Sequence, residues 1–367
     1  AHEAAADIAV ERPLPHVLGQ STTLVQVVAN LLSNAIKFVP VGSTPRVRVR
    51  APAKVNLRLR VHERGPDGFH RIQTVFCALE LADEITVEML PEGRVTLDVE
   101  GPDLGPPAAN LAVRAAEAFL REAGLRQGVR IALRKRIPAG GGLGGGSSDA
   151  AAVLRALDRL LPGAVPSGAL HGLAATLGSD VPFFLAGSPL AAGTGRGDIL
   201  PPLPGLPSAP VVLAIPPFGI ATGEAYGWLD ADRRDRAAGA SLEAVPPPAS
   251  WEDAARQAVN DFEGSVYRRH PVLGRVRDAL RAAGATIALL SGSGSTVFGI
   301  FVYAPVLRQQ VERARDRTRV PEIRQDQPLA DDRGPVDRLL HFGHDLAPVA
   351  PLRVHVDRHD LVARGVL

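Results

Sequence analysis

The stretch "PAGGGLGGGSSDAAAVL", residues 138–154, places six glycines in the seven positions from Gly140 to Gly146, interrupted only by Leu143. Each glycine in regular structure costs roughly 0.5–1 kcal/mol relative to alanine. So dense a run belongs either to a flexible linker or to a backbone that something approaches closely, and the flanks separate the two. Upstream, "VRIALRKRI" alternates Val129, Ile131, Leu133 and Ile137 with polar residues, the period of a half-buried strand. Downstream, Val153, Leu157, Leu160 and Leu161 recur at helical spacing behind Ser147 or Ser148 as N-cap, with Asp149 in the first turn. Strand, glycine loop and helix N-terminus together aim unpaired N–H groups and the positive end of a helix dipole at a phosphate. Phosphate binding is therefore the reading of this loop.

Two other nucleotide motifs fail. No Gly-Lys-Ser/Thr closes the loop as a Walker A would. Gly140, Gly142 and Gly145 satisfy G-x-G-x-x-G, but "LPGAVPSGALHG" stands where a dinucleotide fold needs a second strand ending in an acidic residue.

The 367 residues are long enough for two to three domains, and 46% apolar content predicts a globular chain. Forty-one Lys and Arg against 39 Asp and Glu leave +2, too balanced to imply nucleic acid. The single cysteine, Cys77, lies in apolar "TVFCALEL" and reads as a buried thiol in a reducing compartment. The longest uncharged stretch, 199–223, holds seven prolines and cannot span a bilayer as one helix. No membrane partner and a cytoplasmic location are expected.

Along the chain, "STTLVQVVANLLSNAIKF" predicts a helix with Asn30, Asn34 and Lys37 on its polar face. From 46 to about 100 the pattern is β. Asn110 caps a helix that Gly124 stops. "LHGLAATLGSDVPFFLAG" predicts a short helix, a turn and an apolar strand, and a turn-rich crossover leads to the strand "VVLAI". A domain boundary is expected near 205. Beyond it come helices around 252–262 and 271–283, the strand "ATIALL", the loop "SGSGST" and the strand "VFGIFVY", an α+β order. A surface helix is expected at 305–317, and the histidine-containing end from 321 reads as a solvated tail without metal-ligand spacing.

The glycine stretch resembles the central motif of the GHMP kinases. With "APAKVNLRLRVHERGPDGFHRIQTVF", "NLAVRAA", "LGSDVPFFLAG", "GTGRGDIL", "NDFE" and "SGSGSTVFGIF", residues 46–305 resemble the branch of that family acting on 4-diphosphocytidyl-2-C-methyl-D-erythritol. The resemblance implies an ATP-binding domain like ribosomal protein S5 domain 2 over 46–205. It also implies a ferredoxin-like domain over 206–320, with the active site in the cleft between them. The implied reaction is ATP-dependent phosphorylation of the substrate's 2-hydroxyl, in the non-mevalonate route to isoprenoids.

An alcohol is a poor nucleophile, so such a transfer needs a carboxylate to take its proton and cations to hold the developing charge. The resemblance assigns these roles to Asp180, in "LGSDVPFF", and Lys54, in "APAKVN". ATP is implied at Pro138, Gly140, Gly141, Gly142, Leu143, Gly144, Gly145, Gly146, Ser147 and Ser148. Mg²⁺ is expected with it, Ser147 or Ser148 being a possible ligand and no carboxylate assignable to the metal. Phe69 is placed to stack on the cytosine and His70 to hydrogen-bond it, where many relatives carry tyrosine in place of Phe69. Asn56 shares a strand face with Lys54 and is expected to reach the substrate as a polar ligand. The resemblance implies a further substrate contact at Thr222. "SGSGST", with Gly292, Ser293 and Gly294, either lies against substrate phosphates or supports the first glycine loop.

The ends depart from this pattern. Residues 12–50 resemble the N-box region of sensor histidine kinases, without the later D-x-G-x-G box or a phosphoacceptor helix. Residues 1–45 read as an appended fragment and 321–367 as an unassigned tail. A histidine-kinase-related signalling or binding protein, or an inactive fusion of a GHMP kinase, are the alternative functions.

Overall fold

The computed structural model describes residues 45–233 and 246–302, and the backbone of 353–357. The helix expected at 21–38, with Asn30, Asn34 and Lys37, and the one expected at 305–317 lie outside the described residues.

The chain forms two compact units. Of the described residues, 45–51, 82–136 and 146–185 make the first; 52–81, 137–145 and those from 186 onward make the second. The boundary expected near 205 divides consecutive stretches, whereas these units interleave. The reason is a hairpin of long strands, β1 (Arg46–Arg64) and β2 (His70–Leu90), each of which contributes residues to both.

In the first unit the end of β2 is followed by β3 (Val95–Glu100), α1 (Leu111–Glu122), β4 (Gly128–Arg134) and α2 (Gly145–Leu160). β2 runs antiparallel to β4, Ile85 opposite Leu133 and Val87 opposite Ile131, while β3 lies parallel to β4. Asn110 caps α1 by accepting from Ala112 N at 2.9 Å, and Gly124 past its end takes the left-handed φ of 67°. α2 is buried on almost every side from Ser148 to Leu157, which its many alanines permit. It starts at Gly145, so Ser147 and Ser148 lie in its first turn rather than at its cap.

α3 (Ser167–Leu177) packs on α1 and is followed by a turn and α4 (Val181–Ala186). The expected apolar strand "VPFFLAG" is thus a helix. A short apolar run is ambiguous by periodicity alone, and Pro182 suits a helix's first turn, where its missing N–H costs nothing.

The second unit contains β5 (Leu190–Gly193), β6 (Val211–Ile215), α5 (Thr222–Arg233), α6 (Trp251–Gln257), β7 (Val259–Asn260), α7 (Glu263–Arg269), α8 (Pro271–Ala282), β8 (Ile287–Leu290) and β9 (Val297–Ile300). The single helix expected around 252–262 is therefore α6, the short β7 and the turn that leads into α7. β5 and α5 have no counterpart in the sequence reading; α5 buries only Ala225 and Leu229, too few to leave a periodic stripe.

β5 pairs with β2, and β7 lies parallel to β1 with Asn260 opposite Leu59. A second, antiparallel sheet takes the order β10, β6, β9, β8, where β10 is Arg353–Asp357. The terminal stretch read as a solvated tail thus supplies an edge strand, Arg353 opposite Ile215 and Asp357 opposite Val211.

Both faces of this sheet are covered. Val211, Leu213, Ile287 and Leu289 join Ala53, Val55 and Leu57 of β1 in one core; Val212, Ala214, Ala288 and Leu290 join Phe262 and, from the helices, Val266, Leu273 and Leu280 in another. Burial on two sides explains why "VVLAI" and "IALL" are uninterrupted apolar runs.

Candidate active site

The glycine loop of the second unit is locked to "SGSGST". Gly140, Gly142 and Gly144 alternate in the left-handed region, with φ of 71°, 76° and 73°. Such alternation turns successive N–H groups toward one side, as an anion nest requires. A side chain on Gly142 would place its Cβ 2.1 Å from Ser291 O and 2.9 Å from Gly294 O, so no other residue fits. Ser291 Oγ donates to Gly142 O at 3.0 Å and Thr296 N to Gly141 O at 3.2 Å. Of the two roles expected for "SGSGST", supporting the first loop is the one these bonds display.

Lys54 reaches the same place from β1. Its backbone N–H donates to Leu143 O at 3.0 Å, tying the strand to the loop. Its side chain is 4% exposed, and Nζ donates to Asn56 Oδ1 at 2.8 Å. Asn56 Nδ2 donates to Thr74 Oγ1, and Thr74 donates to Arg58 O, so the ammonium stands at the end of a fixed relay. Strand alternation puts Lys54 and Asn56 on one face, as the sequence indicates. Gly292 lies against the amine: a Cβ there would sit 3.4 Å from Lys54 Nζ and 3.2 Å from Gly142 O. Thr222, first residue of α5, has its Oγ1 3.2 Å from Ser293 Oγ. The structure thereby brings Lys54, Asn56, Gly140 to Leu143, Thr222 and Gly292 to Gly294 together.

The expected base-reading residues form a second cluster in this unit. His70, the first residue of β2, has a side chain only 8% exposed that stacks on Tyr226 at 4.9 Å. Nδ1 lies 2.7 Å from His62 O, and Nε2 stands between Asp230 Oδ1 at 3.0 Å and Arg64 Nε at 3.2 Å. Both ring nitrogens thus have protein neighbours. Phe69 is 51% exposed, with the Arg196 guanidinium stacked 3.6 Å from its ring centroid. Arg196, on the turn "GTGRGD", escaped the sequence reading because nothing local ties it to Phe69.

Pro138, Gly144 and Gly145 also belong to the second unit, whereas Gly146, Ser147, Ser148 and Asp180 belong to the first. Ser147 and Ser148 open α2, and the Ser148 hydroxyl, 0% exposed, finds no hydrogen-bond partner among the described residues. Beside it Asp149 and Asp83 both accept from Lys135, at 2.7 and 2.5 Å. Asp83 also accepts from Arg136 N. Burial raises the Asp149 carboxyl to about 7, against the pull of Lys135 and with a further push from Asp83. Neither Lys135 nor Asp83 stood out in sequence, where each is one charge in an alternating strand. Asp180 is half-buried in the turn before α4, and that turn approaches α2: a Cβ on Gly178 would lie 3.8 Å from Ser147 Oγ. Among the described residues, no group of three His, Cys, Asp or Glu side chains is placed to hold a metal by itself.

Residues 110–188 match the GHMP kinases N terminal domain and 248–324 the GHMP kinases C terminal domain. Over 268 residues the chain is 39% identical to the 4-diphosphocytidyl-2-C-methyl-D-erythritol kinase of Solibacter usitatus (strain Ellin6076), covering 71% of this chain and 83% of the relative. The chain belongs to the GHMP kinases. This GHMP kinase is also 45% identical over 262 residues to the 4-diphosphocytidyl-2-C-methyl-D-erythritol kinase of Anaeromyxobacter dehalogenans (strain 2CP-1 / ATCC BAA-258), covering 70% of this chain and 81% of the relative.

Among solved structures, it matches a 4-(cytidine 5'-diphospho)-2C-methyl-D-erythritol kinase with a TM-score of 0.60 and 42% identity, over 74% of this chain and 96% of that one. Homoserine kinase from Cytophaga hutchinsonii matches with a TM-score of 0.57 and 18% identity, over 87% and 96% of the two chains, a likeness of fold alone. The GHMP kinase fold implied by the separated motifs is found. Among the described residues no helix is long and apolar enough to cross a membrane.

Proposed function

We propose that this GHMP kinase transfers the γ-phosphoryl group of ATP to the 2-hydroxyl of 4-diphosphocytidyl-2-C-methyl-D-erythritol, in the non-mevalonate route to isoprenoids and in the cytoplasm. The observation that carries the assignment is its 39–45% identity with kinases of that name over more than four-fifths of their length. Homoserine kinase and the mevalonate kinases share the fold at 18% identity or less.

The alcohol oxygen attacks the γ-phosphorus while its proton passes to the Asp180 carboxylate; the bond to the β,γ-bridging oxygen breaks and ADP leaves with that electron pair. Lys54 offsets the charge that gathers on the transferring group, with its Nζ already oriented by Asn56. Residues 138–146 wrap the phosphates with backbone N–H groups, and the N-terminus of α2 adds its dipole. A Mg²⁺ ion carried on the triphosphate would screen its charge, with Ser147 or Ser148 as protein ligand; the unpartnered Ser148 hydroxyl fits that role. Phe69 and His70 hold the cytosine, and Asn56, Thr222 and Gly292 to Gly294 hold the rest of the substrate. This reading involves no nucleic-acid and no membrane partner.

An assay of ADP release against this alcohol, homoserine and mevalonate tests the substrate. Turnover of the cytidyl alcohol alone is expected. Equal turnover of all three overturns the assignment.

A further inference from the structure

The motif "NDFE", Asn260 to Glu263, has no part in the chemistry above, yet its side chains grip the loop behind Lys54. Asn260 is 3% exposed and ends the short strand β7 beside β1. Its Nδ2 donates to Leu290 O and to Gly292 O, both at 2.8 Å, and its Oδ1 accepts from Phe262 N at 2.9 Å. Two carbonyls on the nitrogen side and an N–H on the oxygen side leave one orientation of the amide possible. Glu263 completes the grip, its Oε1 accepting from Leu290 N at 2.9 Å. The motif thus holds both the N–H and the carbonyl of Leu290 and then the carbonyl of Gly292. Gly292 is the residue lodged between Lys54 Nζ and the first glycine loop.

We propose that Asn260 is a positioning residue for Lys54: by fixing the Gly292 carbonyl it sets the backbone surface against which the ammonium rests. This role rests on the assignment of Lys54 to the transferring phosphoryl group. An amide suits it because a buried carbonyl needs a donor, and one side-chain nitrogen supplies two donors without adding charge beside an ammonium. A carboxylate in its place keeps the acceptor for Phe262 N but turns an oxygen toward two carbonyl oxygens.

The replacement Asn260→Asp, made alone and together with Lys54→Met, tests this. Alone it is expected to lower kcat by about 100-fold, the cost of an ångström-scale misplacement, and to change KM for either substrate by less than about 3-fold. In the Lys54→Met background the same change is expected to lower kcat by no more than about 2-fold, because its target is gone. A purely structural role predicts equal losses in both backgrounds, and that result overturns the proposal.

A second readout needs no turnover. The sequence holds only Lys37, Lys54 and Lys135. Isotope-labelled lysine ammonium NMR therefore follows Lys54 as one of three signals. Asn260→Asp is expected to move the Lys54 signal and leave Lys135 in place; an unmoved Lys54 signal overturns the inference. If that variant does not fold, Asn260→Ala removes both donors without adding charge and is expected to move the signal likewise, with an unmoved signal again refuting it. Failure of the wild-type protein to phosphorylate the cytidyl alcohol overturns the substrate assignment, while the lysine signal still decides the role of Asn260.

Discussion

Among the described glycines, Gly142 leaves an added Cβ the least room. Alanine at φ 76° costs about 1–2 kcal/mol from the left-handed conformation alone. Its Cβ would also lie 2.1 Å from Ser291 O, and relief requires the two glycine loops to part by about 1 Å. Parting breaks the Ser291 Oγ to Gly142 O and Thr296 N to Gly141 O bonds, each worth about 1 kcal/mol net. The sum is about 3–4 kcal/mol against the closed arrangement, which makes the binding-competent loop roughly 100- to 1,000-fold rarer.

Titration calorimetry with Mg-ATP should show that loss in affinity. Gly163→Ala is the control: its φ is 78°, but nothing lies within 4 Å of the added methyl. It should lower stability by about 1 kcal/mol and leave nucleotide affinity unchanged. Gly140→Ala, with φ 71° and its nearest neighbour at 3.8 Å, belongs between them, near a tenfold loss. Equal losses for Gly142→Ala and Gly140→Ala would refute the claim that the interlocked loops shape the phosphate cradle.

Asp180→Asn should lower kcat by at least about 1,000-fold with Mg-ATP affinity retained, since only proton acceptance is lost; retained turnover in the ADP-release assay rejects the base assignment. Ser148→Ala should leave the apo thermal midpoint unchanged or higher, because a buried unpartnered hydroxyl is removed, while raising KM for Mg-ATP; a large fall in the midpoint shows that the hydroxyl serves the fold instead. For Asp149 the sign follows from its carboxyl being raised from 3.8 to about 7. The folded chain keeps a proton that the unfolded chain releases, so this group's contribution to stability falls as pH rises between those values. Asp149→Asn removes the titration, and its thermal midpoint relative to wild type should climb from pH 4 to pH 8; a constant difference refutes the assignment.

The phosphate loop was legible because its requirements are local. A dense glycine run between a two-residue and a 3.6-residue period calls for a tightly turned backbone between strand and helix, and Gly140, Gly142 and Gly144 do lie in the left-handed region. The strand face shared by Lys54 and Asn56 followed from alternation, and the cap at Asn110 from its position before an apolar stripe. What failed was short or long-range. "VPFFLAG" is too brief for periodicity to separate strand from helix, and "RVHVD" shows its alternation only once β6 offers an edge to pair with. His70 was singled out only through the resemblance, and its burial was not legible because Tyr226 and Asp230, which pack on it, lie more than 150 residues away.

Local pattern alone settled two things: glycines stand where the backbone turns left-handed, and an amine and a carboxamide stand two residues apart on one strand. Those are properties of single dihedrals and of one repeat period, and they need no partner to be expressed. It took the folded chain to show that "SGSGST" braces the first loop rather than standing alone, that Asn260 grips it, and that Asp83, Lys135 and Asp149 share one buried site. Each of these depends on donors and acceptors from distant segments finding one another inside a core, where an unpaired polar group is too costly to leave.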